Sequence, residues 1–455
     1  MYSKEQQLHG NETKLFAKYV SQNVLGMIGI SVYILADTFF ISLAQGANGI
    51  TALNLVLPIY SLIFAIGSMI GVGSAIRFKI LRARQDKSAD SYFSNAIICA
   101  TIISLFFMVA GAFIPDKIVA FLGGDDTIVA VGKNYTRIFM MFAPFFMWNH
   151  ICNAFVRNDG APSIAMAATL FSSLFNIVMD YVLMFPLKLG MEGAALATAF
   201  SPIVGVLICC IHLLSEKSGV KFVICMPSFK KLLQSCQLGV SAFVGEISSG
   251  VTTVVFNFII LKLAGNVGVA AFGVVANCSL VAVAVFNGVS QGSQPLFSDY
   301  YGRGEHKSVN KVFRLSMITV FVLEVVIVIG MYFAANPVAM IFNNDGDVQL
   351  ENYAVKGLRL YFMGFLFAGF NIVGTGILSA TESAKWAFIT SVTRGFIAII
   401  ICAFVMSYLI GMTGVWLAFS VSELITIVLV VIALRKTLKK NITNSKSAQA
   451  KNLII

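Results

Sequence analysis

The sequence predicts an all-α membrane protein of twelve transmembrane helices in two pseudo-symmetric six-helix lobes. Three observations carry that prediction. The 455-residue chain is 58% hydrophobic and only 12% charged, too little charge for a soluble protein of its size. Its apolar residues gather into runs of about 20 or more, each long enough to cross a bilayer as a helix. Residues 16–214 and 235–435 each contain six such runs, with shared local spelling about 220 residues apart.

The first run, from about Leu15 to Leu43, is too long for a signal-peptide core and lacks an A-x-A-type exit, so it reads as an uncleaved span. With it, spans are predicted near 16–43, 49–79, 91–114, 128–156, 161–187 and 190–214. After a linker at 215–234 they continue near 235–262, 267–296, 308–335, 351–380, 384–408 and 414–435. Runs longer than about 25 residues must tilt or project from the bilayer. The repeat shows in three places. Leu43-Ala44-Gln45-Gly46 echoes Leu263-Ala264-Gly265, Gly73-Ser74 echoes Gly292-Ser293, and Gly193-Ala194-Ala195-Leu196-Ala197 echoes Gly414-Val415-Trp416-Leu417-Ala418. Six spans per copy is even, so both copies start on the same side. That makes them parallel repeats about an axis along the membrane normal. The expected organisation is an N-terminal lobe at 1–214, a cytoplasmic linker at 215–234, a C-terminal lobe at 235–435 and a polar cytoplasmic tail at 436–455.

The net charge of +11 suggests nucleic acid until it is mapped. Basic residues cluster in alternate connections: Arg77 to Lys87, Lys217 to Lys231, Arg303 to Arg314, and Arg435 to Lys440. The intervening connections carry acids, as at Asp125-Asp126 and from Asp345 to Glu351. This positive-inside pattern places both termini in the cytoplasm of a cell membrane and assigns the charge to topology, with lipid as the surroundings and no nucleic acid partner. The eight cysteines include no C-x-x-C pair and read as small core residues. Four scattered histidines and no H-E-x-x-H argue against an enzyme and a bound cofactor. A Gly-Asp-Arg-Gly-type motif after the second span, expected of a major-facilitator transporter, is absent.

Ionisable groups inside a span are expensive, roughly 2.5–3.5 kcal/mol on insertion scales, so the few present are informative. Asp37 lies in the first span and Asp180 in the fifth, with Asn176 one turn before Asp180 on the same face. If those helices are neighbours, the three make one polar cluster, which Thr198, Tyr135 and Asn153 can complete. The repeat places Phe256 or Asn257 opposite Asp37, and Ile397 and Ile401 opposite Asn176 and Asp180. The second copy has lost the cluster, which favours function over packing. Two carboxylates in a low-dielectric pocket do not both ionise without help, and a proton or a cation relieves their repulsion. The residues leave H⁺ and Na⁺ both open, Na⁺ requiring oxygen ligands such as Asp37, Asn176, Asp180 and Thr198.

In the second copy, Glu246 is the candidate for substrate or ion contact. Glu324 and Glu423 read as structural, with Arg394 as a partner for one of them, and His150 reads as a packing group. Phe (39) and Met (18) are abundant enough that some can line a cleft accepting varied apolar cations.

These residues resemble the MATE family, multidrug and toxic compound extrusion transporters, over essentially the whole chain. The resemblance rests on Ala36-Asp37-Thr38-Phe39-Phe40-Ile41, on Asn176-Ile177-Val178-Met179-Asp180, on Gly190-Met191-Glu192-Gly193-Ala194-Ala195-Leu196-Ala197-Thr198, and on Arg157-Asn158-Asp159-Gly160-Ala161-Pro162. It implies a monomeric exporter of small organic cations or other amphiphiles, driven by inward H⁺ or Na⁺. Asp37, Asn176 and Asp180 are then the ion site, with Tyr135, Asn153 and Thr198 as weaker matches and Glu246 as an acid matching the C-lobe site of some members. A flippase of lipid-linked or amphiphilic metabolites is the alternative within the same superfamily. Such proteins tend to carry more basic residues in the cavity, whereas here Arg394 is the only basic residue deep in a predicted span. The sequence departs from the family in one respect. Many relatives bend the first helix at a proline, and here that place holds Gln22 followed by Asn23, with Ser241 at the matching place in the seventh span. Gly26 and Gly29 are the remaining points at which the helix can bend.

Overall fold

The fold was taken from a computed structural model that describes residues 12–223, 225–343 and 347–452, the side chains of 45–48, 50 and 438–452 excepted. Asp345, one of the acids of the ninth-to-tenth connection, lies outside the described residues.

Regular structure among the described residues is helical. A helical stretch from Glu12 to Ala83 holds two spans, α1 (Glu12–Ala44) and α2 (Thr51–Ala83). At about 1.5 Å per residue the whole stretch is several times too long for one crossing. After a short turn capped by Asp86 come α3 (Asp90–Phe113), α4 (Asp126–Met141), α5 (Ala143–Asn158), α6 (Pro162–Met184) and α7 (Gly190–Leu213). The second copy comprises α8 (Phe229–Arg303), α9 (His306–Ile341), α10 (Val348–Phe362), α11 (Phe365–Ala380), α12 (Ala384–Val392) and α13 (Ile399–Asn452).

Twelve spans emerge once the breaks are placed. The pairs α4–α5 and α10–α11 each bend by 48° and each form one broken span. Helix α8 is broken at Gly265 (φ 62°, ψ −158°), and α13 at Ile410 and Gly411. Helix α8, and the continuous stretch from α12 through α13, therefore each contain two crossings. Gly265 occupies a region of backbone space that is essentially closed to residues with a Cβ. It is the glycine of the Leu263-Ala264-Gly265 echo, which marks the end of the seventh span.

The two copies also share local structure. Asp125 accepts a hydrogen bond from the Ile128 amide at the start of α4, and Asp347 accepts from the Gln349 and Leu350 amides at the start of α10. Each satisfies donors that a helix N-terminus leaves open. Gly193 lets α7 approach the backbone of α6 at Leu183, and Gly414 does the same at the Met406 carbonyl.

Contacts group the described residues into two compact units, one of Ser21–Ile247 and one of residues 12–20 with residues 248–452. In the first, Gly73 of α2 lies against the Ser235 carbonyl, and Ser74 Oγ donates to Ser235 Oγ (2.9 Å). The linker is bound to this unit. The Val223 and Ser228 amides donate to Ser94 Oγ and Asn95 Oδ1, both at 2.7 Å, and Tyr92 donates to Gln234 (2.6 Å). Asp159 anchors the linker's start by accepting from the Gly219 amide (2.7 Å) beside His212 Nε2 (2.8 Å). In the second unit the echoing Gly292 lies against the backbone of Tyr19 and Val20.

Helices α1 and α6 run parallel in register within the first unit. Gln22 meets Ser163, Gly26 meets Thr169, Gly29 meets Leu170, and Phe40 meets Tyr181. Parallel packing is what two odd-numbered spans require if every span reverses direction.

Candidate functional site

That register brings Asp37 of α1 against Asp180 of α6, close enough for their carboxyls to share a proton. Asp180 and Asn176 are fully buried on one face of α6. Asn176 Nδ2 donates to Thr198 Oγ1 of α7 at 3.4 Å, and Tyr135 of α4 reaches the same hydroxyl. Five of the six residues expected at the ion site therefore converge.

Asn153 does not join them. Its amide donates to the Ala165 carbonyl (3.0 Å) and Thr169 Oγ1 (2.9 Å), while its carbonyl faces Arg157. It lies on α5 near the opposite end of α6 from Asp180. Spacing along the sequence assigned it to a polar span but not to a level within the span.

The cluster contains an excess of acceptors. Asp37 Oδ1, both Asp180 carboxylate oxygens and Asn176 Oδ1 are buried without a donor partner. An unsatisfied buried polar atom costs on the order of 1–3 kcal/mol, more where it is charged. Four such oxygens with no donor aimed at them suit a proton or a small cation better than an anion or an apolar ligand.

Two residues beside the cluster were missed at the sequence level. Tyr33 lies one turn before Asp37 on the same helix face, and its hydroxyl pairs with that of Tyr60 at 3.2 Å. The i, i+4 spacing of Tyr33 and Asp37 was the available signal. Tyr60 also lines a small, largely apolar cleft with Tyr135, Phe139 and Met140. Glu246 is exposed on the part of α8 that belongs to the first unit, within electrostatic range of Tyr33. His150 packs edge-on against Phe64 (4.9 Å).

The second unit has a different kind of buried polar cluster. Arg394 Nε donates to both oxygens of Glu423 (2.9 and 3.2 Å), and Asn371 Nδ2 donates to Glu423 Oε2 (2.7 Å). The Phe370 amide donates to Glu324 (2.9 Å). Arg394 sits in a π-helical turn, Thr393–Ala398, between α12 and α13. Glu423 thus has a cation attached to its own unit. A second cation is buried in the first unit: Arg157, in the last turn of α5, is 4% exposed.

Comparison with known proteins agrees with this architecture. The profile of the MatE family matches residues 24–182 and 242–409. The chain is 28% identical over 410 residues to the multidrug export protein MepA of Staphylococcus aureus (strain MSSA476), covering 88% of each. It superposes with a TM-score of 0.90 on the outward-facing conformation of a multidrug resistance MATE family transporter of the MOP superfamily, covering 97% of this chain and 99% of that one at 19% identity. A MATE solved in complex with MaL6 superposes with a TM-score of 0.91 at 20% identity, over 97% of this chain and 100% of that one. The family match covers both copies of the repeat and includes Asp37, Asn176 and Asp180, so the chain belongs to the MatE family, the multidrug and toxic compound extrusion transporters.

Proposed function

We propose that this protein exports small organic cations in exchange for H⁺ or Na⁺, and that Asp37 and Asp180 are the groups that load the ion. The observation that carries this reading is the donor-poor set of buried oxygens on Asp37, Asp180 and Asn176. A proton bridges the two carboxyls. A Na⁺ ion draws on the same oxygens with Thr198 Oγ1 as a further ligand. Loading removes the repulsion between the carboxyls and lets α1 close on α6. Unloading restores the repulsion and drives α1 toward a second position. A substrate that binds the two positions with different affinity is then coupled to the ion.

The second unit supports a division of labour. Glu423 is neutralised by Arg394, and Glu324 is held by a backbone amide, so neither requires an exchangeable ion. Ion exchange belongs to the first unit. An inward unit charge gains about 2.3 kcal/mol per 100 mV, enough for roughly a fifty-fold gradient of an uncharged solute.

The test is dye efflux into inverted vesicles with Na⁺ and pH gradients imposed separately. Either gradient should drive uptake of an ethidium-like cation by the unmodified protein, and Asp37→Asn should abolish the drive. Undiminished uphill transport by Asp37→Asn would remove the coupling role.

A further inference from the structure

Helix α1 is attached to its unit at two levels, and the ion site is only one of them. The other lies about four turns earlier. Gln22 Nε2 donates to Ser163 Oγ at 2.8 Å. One residue on, Asn23 Oδ1 accepts from Arg157 Nη1 at 3.2 Å, with both side chains buried. Arg157 also reaches Asn153 Oδ1 (3.5 Å), and Asn153 is bound through its amide to Ala165 and Thr169 of α6. Two adjacent residues of α1 are thus tied to α5 and α6. Hydrogen bonds to a buried guanidinium are the strong kind, because losing the acceptor leaves a desolvated charge.

Between the two levels α1 is helical, with no residue departing from helical backbone angles. Gly26 and Gly29 do not mark a bend. A Cβ on Gly29 would collide with the Leu170 side chain, and Gly26 lies against Thr169, so both glycines allow close parallel packing on α6. Asn23 and Asp37 are therefore ends of one stiff rod about 21 Å apart. A rod pushed at one end transmits the push only if something fixes its other end. Without a tie to its own unit at that level, the rod slides or rolls on α6 and its lobe does not respond.

We infer that Gln22 and Asn23, held by Ser163 and Arg157, form a fixed pivot about which α1 swings when the ion at Asp37 and Asp180 is loaded or released. Asn23 and Arg157 are positioning residues for coupling and touch neither ion nor substrate. The inference rests on the ion-coupled reading above. Its consequence is specific. Loosening the pivot uncouples transport from the ion without abolishing the passage of substrate.

Two experiments in proteoliposomes test this. In the first, Asn23→Ala is compared with the unmodified protein for ion-driven dye accumulation and for dye exchange without an ion gradient. Accumulation should fall roughly tenfold, the scale of one hydrogen bond to a charged group, with exchange retained. Asn23→Asp keeps an oxygen for Arg157 and should retain coupling. An equal loss of both activities in Asn23→Ala, or of neither, overturns the pivot. The second experiment locks the contact instead of loosening it. Gln22→Cys/Ser163→Cys is joined by a short thiol-cleavable bis-methanethiosulfonate, with the unmodified protein treated alike as the control for its eight native cysteines. The double cysteine variant lacks the Gln22–Ser163 hydrogen bond, so a pivot that stays closed predicts that the cross-link brings ion-driven transport back to the unmodified level. Arrest that a thiol reverses would show that this contact opens during the cycle and would overturn the inference. Absence of ion-driven transport in the unmodified protein would overturn the ion-coupled reading itself, which separates the two failures.

Discussion

The carboxyls of Asp37 and Asp180 face each other across two parallel helices, 143 positions apart in the chain, with Asn176 one turn below and no donor directed at their free oxygens. The buried acids of the second unit are instead supplied with donors: Arg394 and Asn371 for Glu423, and a backbone amide for Glu324. The same fold thus holds one cluster rich in unpartnered acceptors and one supplied with donors.

Removing one carboxylate should remove the drive while leaving the protein folded. Asp180→Asn is expected to reduce ion-driven dye accumulation at least tenfold, the effect of about 1.4 kcal/mol of lost coupling. Its thermal unfolding midpoint in detergent should be unchanged or higher, because the substitution removes a buried repulsion. Fluorimetry of dye uptake and a thermal melt check the two halves.

The ligand set should separate proton from sodium. Thr198→Val removes a hydroxyl oxygen but no carboxyl. Proton-driven transport should survive it, and the Na⁺ concentration for half-maximal sodium-driven transport should rise roughly tenfold. Transport rates over a Na⁺ titration at fixed pH provide the measurement.

The charge on the cargo should set the response to voltage. One inward H⁺ or Na⁺ exchanged for one outward monovalent cation moves no net charge. An imposed potential should therefore leave that exchange unchanged, while a neutral substrate should respond by about 2.3 kcal/mol per 100 mV. Valinomycin-clamped proteoliposomes loaded with each class of substrate distinguish the cases.

The ion pair in the second unit should be structural. Arg394→Met alone strands the buried Glu423 and should destabilise the protein by about 3–5 kcal/mol. Arg394→Met/Glu423→Gln keeps an acceptor for Asn371, removes both charges and should recover most of the loss, with ion-driven transport retained. Thermal unfolding of the single and double variants, read as a cycle, tests it. Coupling lost in the double variant while its stability is restored would assign the pair to ion exchange.

The fold was legible in the sequence because membrane insertion makes strong demands on local composition. Long uncharged runs, alternating basic connections and the echoed glycines followed from hydrophobicity, topology and close backbone approach, and those act over a turn or a span. Asp37, Asn176 and Asp180 were also legible, since a carboxyl inside a span is costly enough to need a reason. The partners of these residues were not. Whether Asp37 meets Asp180 depends on α1 and α6 being parallel and in register, and nothing within either helix states that register. The packing of α5 on α6 likewise separates Asn153 from the acids and ties it to Ala165 and Thr169. Helix packing also turns Gln22 and Asn23, which read only as the place of a missing proline, into an attachment point. The sequence by itself determined which groups are too polar to be in the membrane without a purpose. Tertiary structure decided which of them are satisfied, because satisfaction is a matter of distances between helices that are remote along the chain.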